Sequence, residues 1–143
     1  MPTDPNNSDI QNFWKTLYHS LYDSYDDELD RERLLGAIED LEDMFRYRGH
    51  GAVVEMPLSK LTGKKVLEIG SGAGGHSALF ARRGAIMTSI DLTIERVKST
   101  SIKFQLLGDL AKDCVALQCD AQNLSFSNDT FDLVYSNGVL HHT

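Results

Sequence analysis

The residues whose types and spacing could do chemistry are a run of glycines with an acid in front: Glu68-Ile69-Gly70-Ser71-Gly72-Ala73-Gly74-Gly75. Before them, β-branched Val66 and Ile69 around Leu67 favour a short buried strand. After them, residues 77–83 favour a helix, with Gly84 placed to end it. A strand that stops, turns on glycine and restarts as a helix leaves the backbone bare at Gly70, Gly72 and Gly74, so a ligand can lie against the main chain itself. The first amides of that helix have no intrahelical partner and can meet polar or anionic groups. The ligand this favours is of nucleotide type.

Such a site needs a sheet to hold it. Residues 85–91 read as a second buried strand, ending in Asp91, and Ile94, Val97, Ser101, Phe104 and Leu107 line a helix over about 93–107. Residues 115–120 read as a third strand, ending in Asp120, and a polar loop follows over 121–130. Residues 131–137 are a fourth strand, and 138–143 begin another helix. Strand–turn–helix units in series imply parallel strands with right-handed crossovers. The expected class is therefore α/β, a Rossmann-like three-layer sandwich around an incomplete parallel sheet of about four strands. Ligands in such sheets sit outside the carboxyl ends of the strands. Polar groups fall at each of those ends here: Glu68, Asp91, Asp120, and Ser136 with Asn137.

Residues 1–60 read as a helical cap or lid segment ahead of a nucleotide-binding core over 61–143. Ser8-Asp9-Ile10-Gln11 reads as a capping box. Ile10, Phe13, Trp14, Leu17, Tyr18, Leu21, Tyr22 and Tyr25 then make one aromatic-rich stripe, a helix over about 9–25 that packs on the domain, closes over the pocket, or does both. Leu34, Leu35, Ile38, Leu41, Met44 and Phe45 make a second stripe over about 31–46, and its many charges read as a solvated face. Residues 46–51 read as a surface loop, and residues 52–59 as a short helix broken near Pro57.

The 143 residues are enough for one domain with a real core. The net charge of −7 belongs wholly to residues 1–60, which carry 6 Lys/Arg against 13 Asp/Glu, while 61–143 carry 8 of each. A neutral core domain argues against a nucleic-acid footprint. No apolar run is long enough to span a bilayer. Cys114 and Cys119 have neither zinc nor redox-motif spacing and read as small apolar residues of a reducing cytoplasm, so no metal is expected.

The glycine pattern alone leaves two ligands open. Gly70, Gly72 and Gly75 satisfy the dinucleotide fingerprint, and Asp91 follows at the distance of a ribose-binding acid. Three features favour a nucleoside carrying an α-amino acid instead. Glu68 would repel a pyrophosphate but suits an ammonium group, glycine recurs at 70, 72 and 74, and Asp120 adds a polar contact at the third strand end.

On these residues the sequence resembles the class I S-adenosylmethionine-dependent methyltransferases, in particular the small-molecule branch typified by quinone biosynthesis. The resemblance covers about Val66 to Thr143: Glu68 to Gly74, Asp91, Asp120-Ala121, and the segment Phe131 to His142, in order. It implies S-adenosyl-L-methionine as cofactor and a small-molecule methyl acceptor. It further implies that Gly70, Ser71, Gly72 and Gly74 approach the methionine part of the cofactor, with Glu68 near its amino end. Asp91 would hold the ribose hydroxyls beside Leu92, Asp120 and Ala121 would meet the adenine edge, and Ser136 and Asn137 would flank the transferred methyl. A base is needed only if the acceptor must lose a proton. His141 and His142 are the weak candidates, against a simpler place in the first turn of the next helix. Trp14, Tyr18 and Tyr22 would enclose a small acceptor.

Since the family's sheet normally has seven strands, the chain is expected to be a portion of a longer enzyme, with a short protein that completes its sheet with a partner as the alternative, and to be poorly stable alone or to self-associate through its fourth-strand edge. Two other readings are an NAD(P)-dependent oxidoreductase and a non-catalytic nucleotide-binding or interaction module.

Overall fold

The computed structural model describes residues 8–9, 11–12, 26–47 and 56–137. Helix α1 spans Arg31–Tyr47. It starts just after Asp30, whose carboxylate accepts the amide of Arg33 at 2.8 Å, as an N-cap does. Its apolar stripe buries Leu34, Ile38 and Phe45. The opposite face does more than meet solvent. Arg31 donates to the carbonyls of Leu106 and Leu107 at 3.2 Å each, Glu39 pairs with Arg82 at 3.4 Å, and Glu42 pairs with Arg83. Only a one-turn 3₁₀ segment, Leu58–Lys60, stands where a helix broken at Pro57 was expected, and residues 48–55 lie outside the described set.

The core follows as β1 (Lys65–Ile69), α2 (Gly75–Arg82), β2 (Ile86–Asp91), α3 (Ile94–Leu107), β3 (Val115–Gln118) and β4 (Leu133–Ser136). The four strands form one parallel sheet in the order β3-β2-β1-β4. Register places Ile69 opposite Ile90 and Ser136, and Ile90 opposite Leu117, so all four carboxyl ends lie at one edge. The strand order reverses between β1 and β4, and the glycine turn follows β1 at that switch point.

One face of the sheet carries Val66 and Met87 into a core built with Ala78, Leu79 and Phe80 of α2, Phe104 and Leu107 of α3, and Leu34 and Ile38 of α1. On the other face Leu67, Ile69 and Ile90 pack against Cys119, Ala121, Phe126 and Phe131 from the segment after β3. The described residues thus supply two of the three expected layers and leave Val134 63% exposed on β4. No helix among the described residues is long and apolar enough to cross a membrane.

Two expectations are corrected. Ile94 does not line the buried side of α3, being 40% exposed, whereas Arg96, Ser99, Thr100 and Lys103 are buried there. The reason is that α3 has N-terminal residues packed along it: Asp26 pairs with Lys103 at 2.9 Å and accepts the Ser99 hydroxyl. Nor does Gln11 close a capping box. Ser8 is already helical, and the Gln11 side-chain amide donates to the Leu92 carbonyl at 2.9 Å. The whole aromatic stripe from Ile10 to Tyr25, with Trp14, Tyr18 and Tyr22, lies outside the described residues.

Candidate functional site

The turn after β1 is held by two elements. From β2, the Ile90 carbonyl accepts the amides of Gly70 at 2.9 Å and Ser71 at 3.0 Å. The Asp91 carboxylate accepts the amide of Gly72 at 3.0 Å. From α3, the Thr100 hydroxyl donates to Ser71 Oγ at 3.1 Å. Gly70, Gly72 and Gly74 have φ of 77°, 56° and 88°, the left-handed region that glycine enters without strain. Gly74 so placed is the N-cap of α2, which therefore begins at Gly75, two residues before the expected start.

Glu68 does not sit at the open rim. It faces the helical side of the sheet, 2% exposed, and makes a side-chain hydrogen bond with Ser77. Ser77 in turn lies 2.6 Å from the Ser89 hydroxyl. Glu68 Oε2 has no hydrogen-bond partner among the described residues. Burial, reinforced by the neighbouring charge of Asp91 and opposed by the Ser77 bond, pushes its pKa up to about 8. A buried carboxyl with one oxygen unsatisfied carries a desolvation cost that a hydrogen-bond donor would relieve.

Asp91 is tied on both oxygens. Oδ1 accepts the Thr93 amide at 3.0 Å and the Thr93 hydroxyl at 3.2 Å, while Oδ2 accepts Gly72. Burial raises its pKa, and the bonds from Thr93 and Gly72 and the charge of Arg96 work against that rise. A carboxylate has about four lone-pair positions. One remains on Oδ2, so a vicinal diol would have to displace one of the existing donors to bond through both hydroxyls.

The other predicted residues lie at the same edge. The Leu92 carbonyl is held by two amides, from Gln11 at 2.9 Å and from Gln118 at 3.0 Å. Asp120 lies two residues beyond β3, where Oδ1 caps a turn by accepting the Gln122 amide at 2.9 Å. Ala121 packs on the second sheet face against the Leu67, Ile69 and Ile90 cluster. Ser136 closes β4 with its hydroxyl buried and without a partner among the described residues. Asn137, just past the strand, is exposed and donates to the Tyr135 hydroxyl at 3.4 Å. His141 and His142 lie outside the described residues.

Beside the turn, the His76 ring stacks on Phe80 at 6.2 Å and meets Phe45 and Tyr135 edge-on at 5.6 Å each. Burial lowers the His76 pKa and raises that of Tyr135. Thr93, Gln118, Gln11 and Thr100 escaped the sequence reading. Thr93 alone had a local signal, being a hydroxyl residue two positions after an acid at a helix start. Among the described residues no cluster of His, Cys, Asp and Glu could hold a metal ion.

The family described as "Methyltransferase domain" matches residues 67–143, more than half of the chain. The chain is 47% identical over 53 residues to the ubiquinone biosynthesis O-methyltransferase of Psychrobacter arcticus, covering 37% of this chain and 20% of that protein. It is 32% identical over 83 residues to the phthiotriol/phenolphthiotriol dimycocerosates methyltransferase of Mycobacterium leprae, covering 57% and 29%. It therefore spans less than a third of the length of these curated relatives. Among solved structures, magnesium protoporphyrin IX methyltransferase of Synechocystis, with bound S-adenosylmethionine, superposes with a TM-score of 0.65 at 18% identity, covering 100% of this chain and 66% of that one. Phosphoethanolamine N-methyltransferase 1 of Haemonchus contortus superposes at 0.58 with 22% identity, covering 95% and 26%. Both show the same fold, and the domain match over more than half of the chain places it in the class I S-adenosylmethionine-dependent methyltransferase family.

Proposed function

We propose that this chain carries the cofactor-binding portion of an enzyme that transfers a methyl group from S-adenosyl-L-methionine to a small-molecule acceptor. The observation that carries the reading is Glu68, buried at the root of the glycine turn with Oε2 unpartnered among the described residues. An α-ammonium group would donate to that oxygen, and its charge would favour the carboxylate over the protonated form that burial imposes. The bound cofactor would supply an electrophilic methyl on sulfur. The protein's share is binding and alignment. In this reading Gly70, Ser71, Gly72 and Gly74 receive the amino-acid end, Asp91 the ribose, Leu92, Asp120 and Ala121 the adenine, and Ser136 and Asn137 the neighbourhood of the methyl. The clamp of Gln11 and Gln118 on the Leu92 carbonyl supports a cap role for the N-terminal residues, since Gln11 reaches the strand-end edge.

Titration calorimetry with S-adenosylhomocysteine, with NAD as control, tests this. Binding of S-adenosylhomocysteine alone is the expected result. NAD binding in its place would move the site to nicotinamide chemistry and overturn the proposal.

Self-association through the β4 edge belongs to the same reading, supported by the exposure of Val134. Sedimentation should then give a concentration-dependent mass that a lysine at position 134 (Val134→Lys) returns to monomer. A monomer at all concentrations would remove the idea. A cytoplasmic location is inferred from two free, partly buried cysteines.

A further inference from the structure

The strand-end acids and the glycines account for the ligand side of the turn. What holds its other side is α3, and there one residue stands out. Thr100 is fully buried, and its hydroxyl donates to Ser71 Oγ at 3.1 Å and lies 3.5 Å from the Gly72 carbonyl. Ser71 is itself 7% exposed. The two backbones touch here, since a Cβ on Gly74 would lie 2.8 Å from Thr100 Cα and 2.8 Å from its hydroxyl oxygen. Glycine at 74 therefore lets α3 approach, and the hydroxyl at 100 exploits the approach by bonding a side chain and facing a carbonyl of the turn.

We propose that Thr100 is a positioning residue for the amino-acid end of the cofactor. The proposal rests on the function proposed above and deepens it. The amide of Gly72 already points to Asp91, and those of Gly70 and Ser71 point to Ile90. These bonds tie the turn to β2 only. A glycine-rich turn with three left-handed φ values has many alternative conformations, and each one lost on binding weakens the ligand. The Thr100 bond ties the same turn to a second, rigid element. It selects the conformation in which Ser71 turns inward and the backbone of 70–74 faces the strand-end edge. Thr100 touches no ligand in this scheme. It acts through the turn, on the part of the ligand that the turn receives.

This location makes a specific readout available. S-adenosylhomocysteine has an amino-acid end, and 5′-methylthioadenosine has the same nucleoside and sulfur without it. Removing the hydroxyl with Thr100→Val, which keeps the branched shape, should weaken S-adenosylhomocysteine about tenfold. Methylthioadenosine, held by Asp91 and the adenine wall, should change by less than about twofold. Thr100→Ser should restore the wild-type ratio. Ser71→Ala removes the other partner of the same bond, so it should give the same pattern, and the double variant should be no worse than either single one.

Calorimetry of both ligands with wild type and these variants, beside their melting temperatures, decides the matter. Equal losses for the two ligands, tracking melting temperature, would reduce Thr100 to a packing residue and overturn the proposal. So would unchanged affinity in Thr100→Val, or in Ser71→Ala should Thr100→Val fail to fold. If the wild-type protein bound neither ligand, the function proposed above would be at fault instead.

Discussion

Glu68→Gln is expected to make the ligand-free protein more stable at pH 8 and a poorer cofactor binder at the same time. The reason is linkage between protonation and folding. The Glu68 pKa rises from 4.5 to about 8 on folding, chiefly through burial. Below pH 4.5 both folded and unfolded chains hold the proton, and nothing is lost. Between 4.5 and about 8 the folded protein keeps a proton that the unfolded chain releases, so this group's contribution falls as pH rises, and it levels off above about 8. Glutamine keeps the shape and the bond to Ser77 but never ionises. The variant should therefore melt roughly 5–10 °C above wild type at pH 8 and close to wild type at pH 5.

Binding runs the other way. A cationic ammonium at Oε2 favours the carboxylate, so the wild-type affinity for S-adenosylhomocysteine should rise with pH up to about 8 as Glu68 gives up its proton. Besides burial, the groups that set this are Ser77 on α2 and Asp91 on β2, and the Glu68 charge in turn raises the pKa of Tyr135 on β4. Glu68→Gln should bind about tenfold or more weaker at pH 8 and show a flat profile. Melting curves and calorimetry at pH 5, 6, 7 and 8 provide the check. A variant less stable than wild type at pH 8 would show that Glu68 is not carried as a buried, uncompensated acid.

Asp91→Ala should cost more in binding than either Glu68→Gln or Thr100→Val. The substitution removes the acceptor for the Gly72 amide, the Thr93 amide and the Thr93 hydroxyl, together with the acceptor proposed above for the ribose. Hydrogen bonds to a charged group contribute about 1.5–3 kcal/mol each. Loss of the ribose contact and of the tether on Gly72 together predicts at least about a hundredfold weaker S-adenosylhomocysteine binding. Asp91→Asn keeps one side-chain oxygen as acceptor and should fall between wild type and alanine. The Asp91 charge also pushes the Glu68 pKa upward, so its removal should lower the pH at which binding saturates. A dissociation constant for Asp91→Ala within about threefold of wild type, less than the loss of one such bond, would remove Asp91 from the site.

How much of this was legible in the residues varies with the range of the interaction. Glycine at 70, 72 and 74 marks a turn because the need for left-handed φ is local, and all three positions adopt it. Asp91 ends β2, and short apolar runs ending in polar residues located each strand to within a few positions. The break at Gly84, with φ of 89°, is equally local. Where the reading missed, a distant partner decided the matter. Gln11 has a spacing that suits a capping box, but the Leu92 carbonyl, 81 positions away, takes its amide. The buried polar stripe of α3 has no apolar period to reveal it, because Asp26, 77 positions from Lys103, is what makes burial of that lysine tolerable.

By itself, then, the amino-acid order determined strand–turn–helix units in a parallel sheet, with polar groups at the strand ends. Backbone propensity and two-residue alternation act over a few neighbours and can be read without a fold. The tertiary structure alone decided which way those groups act. Parity on β1 and the helical layer above it turn Glu68 inward and make it a reluctant acid, and the contact between α3 and Gly74 brings Thr100 to the turn. Both outcomes depend on which surfaces meet, and desolvation has no signature in a stretch of sequence until the neighbour that excludes the water is in place.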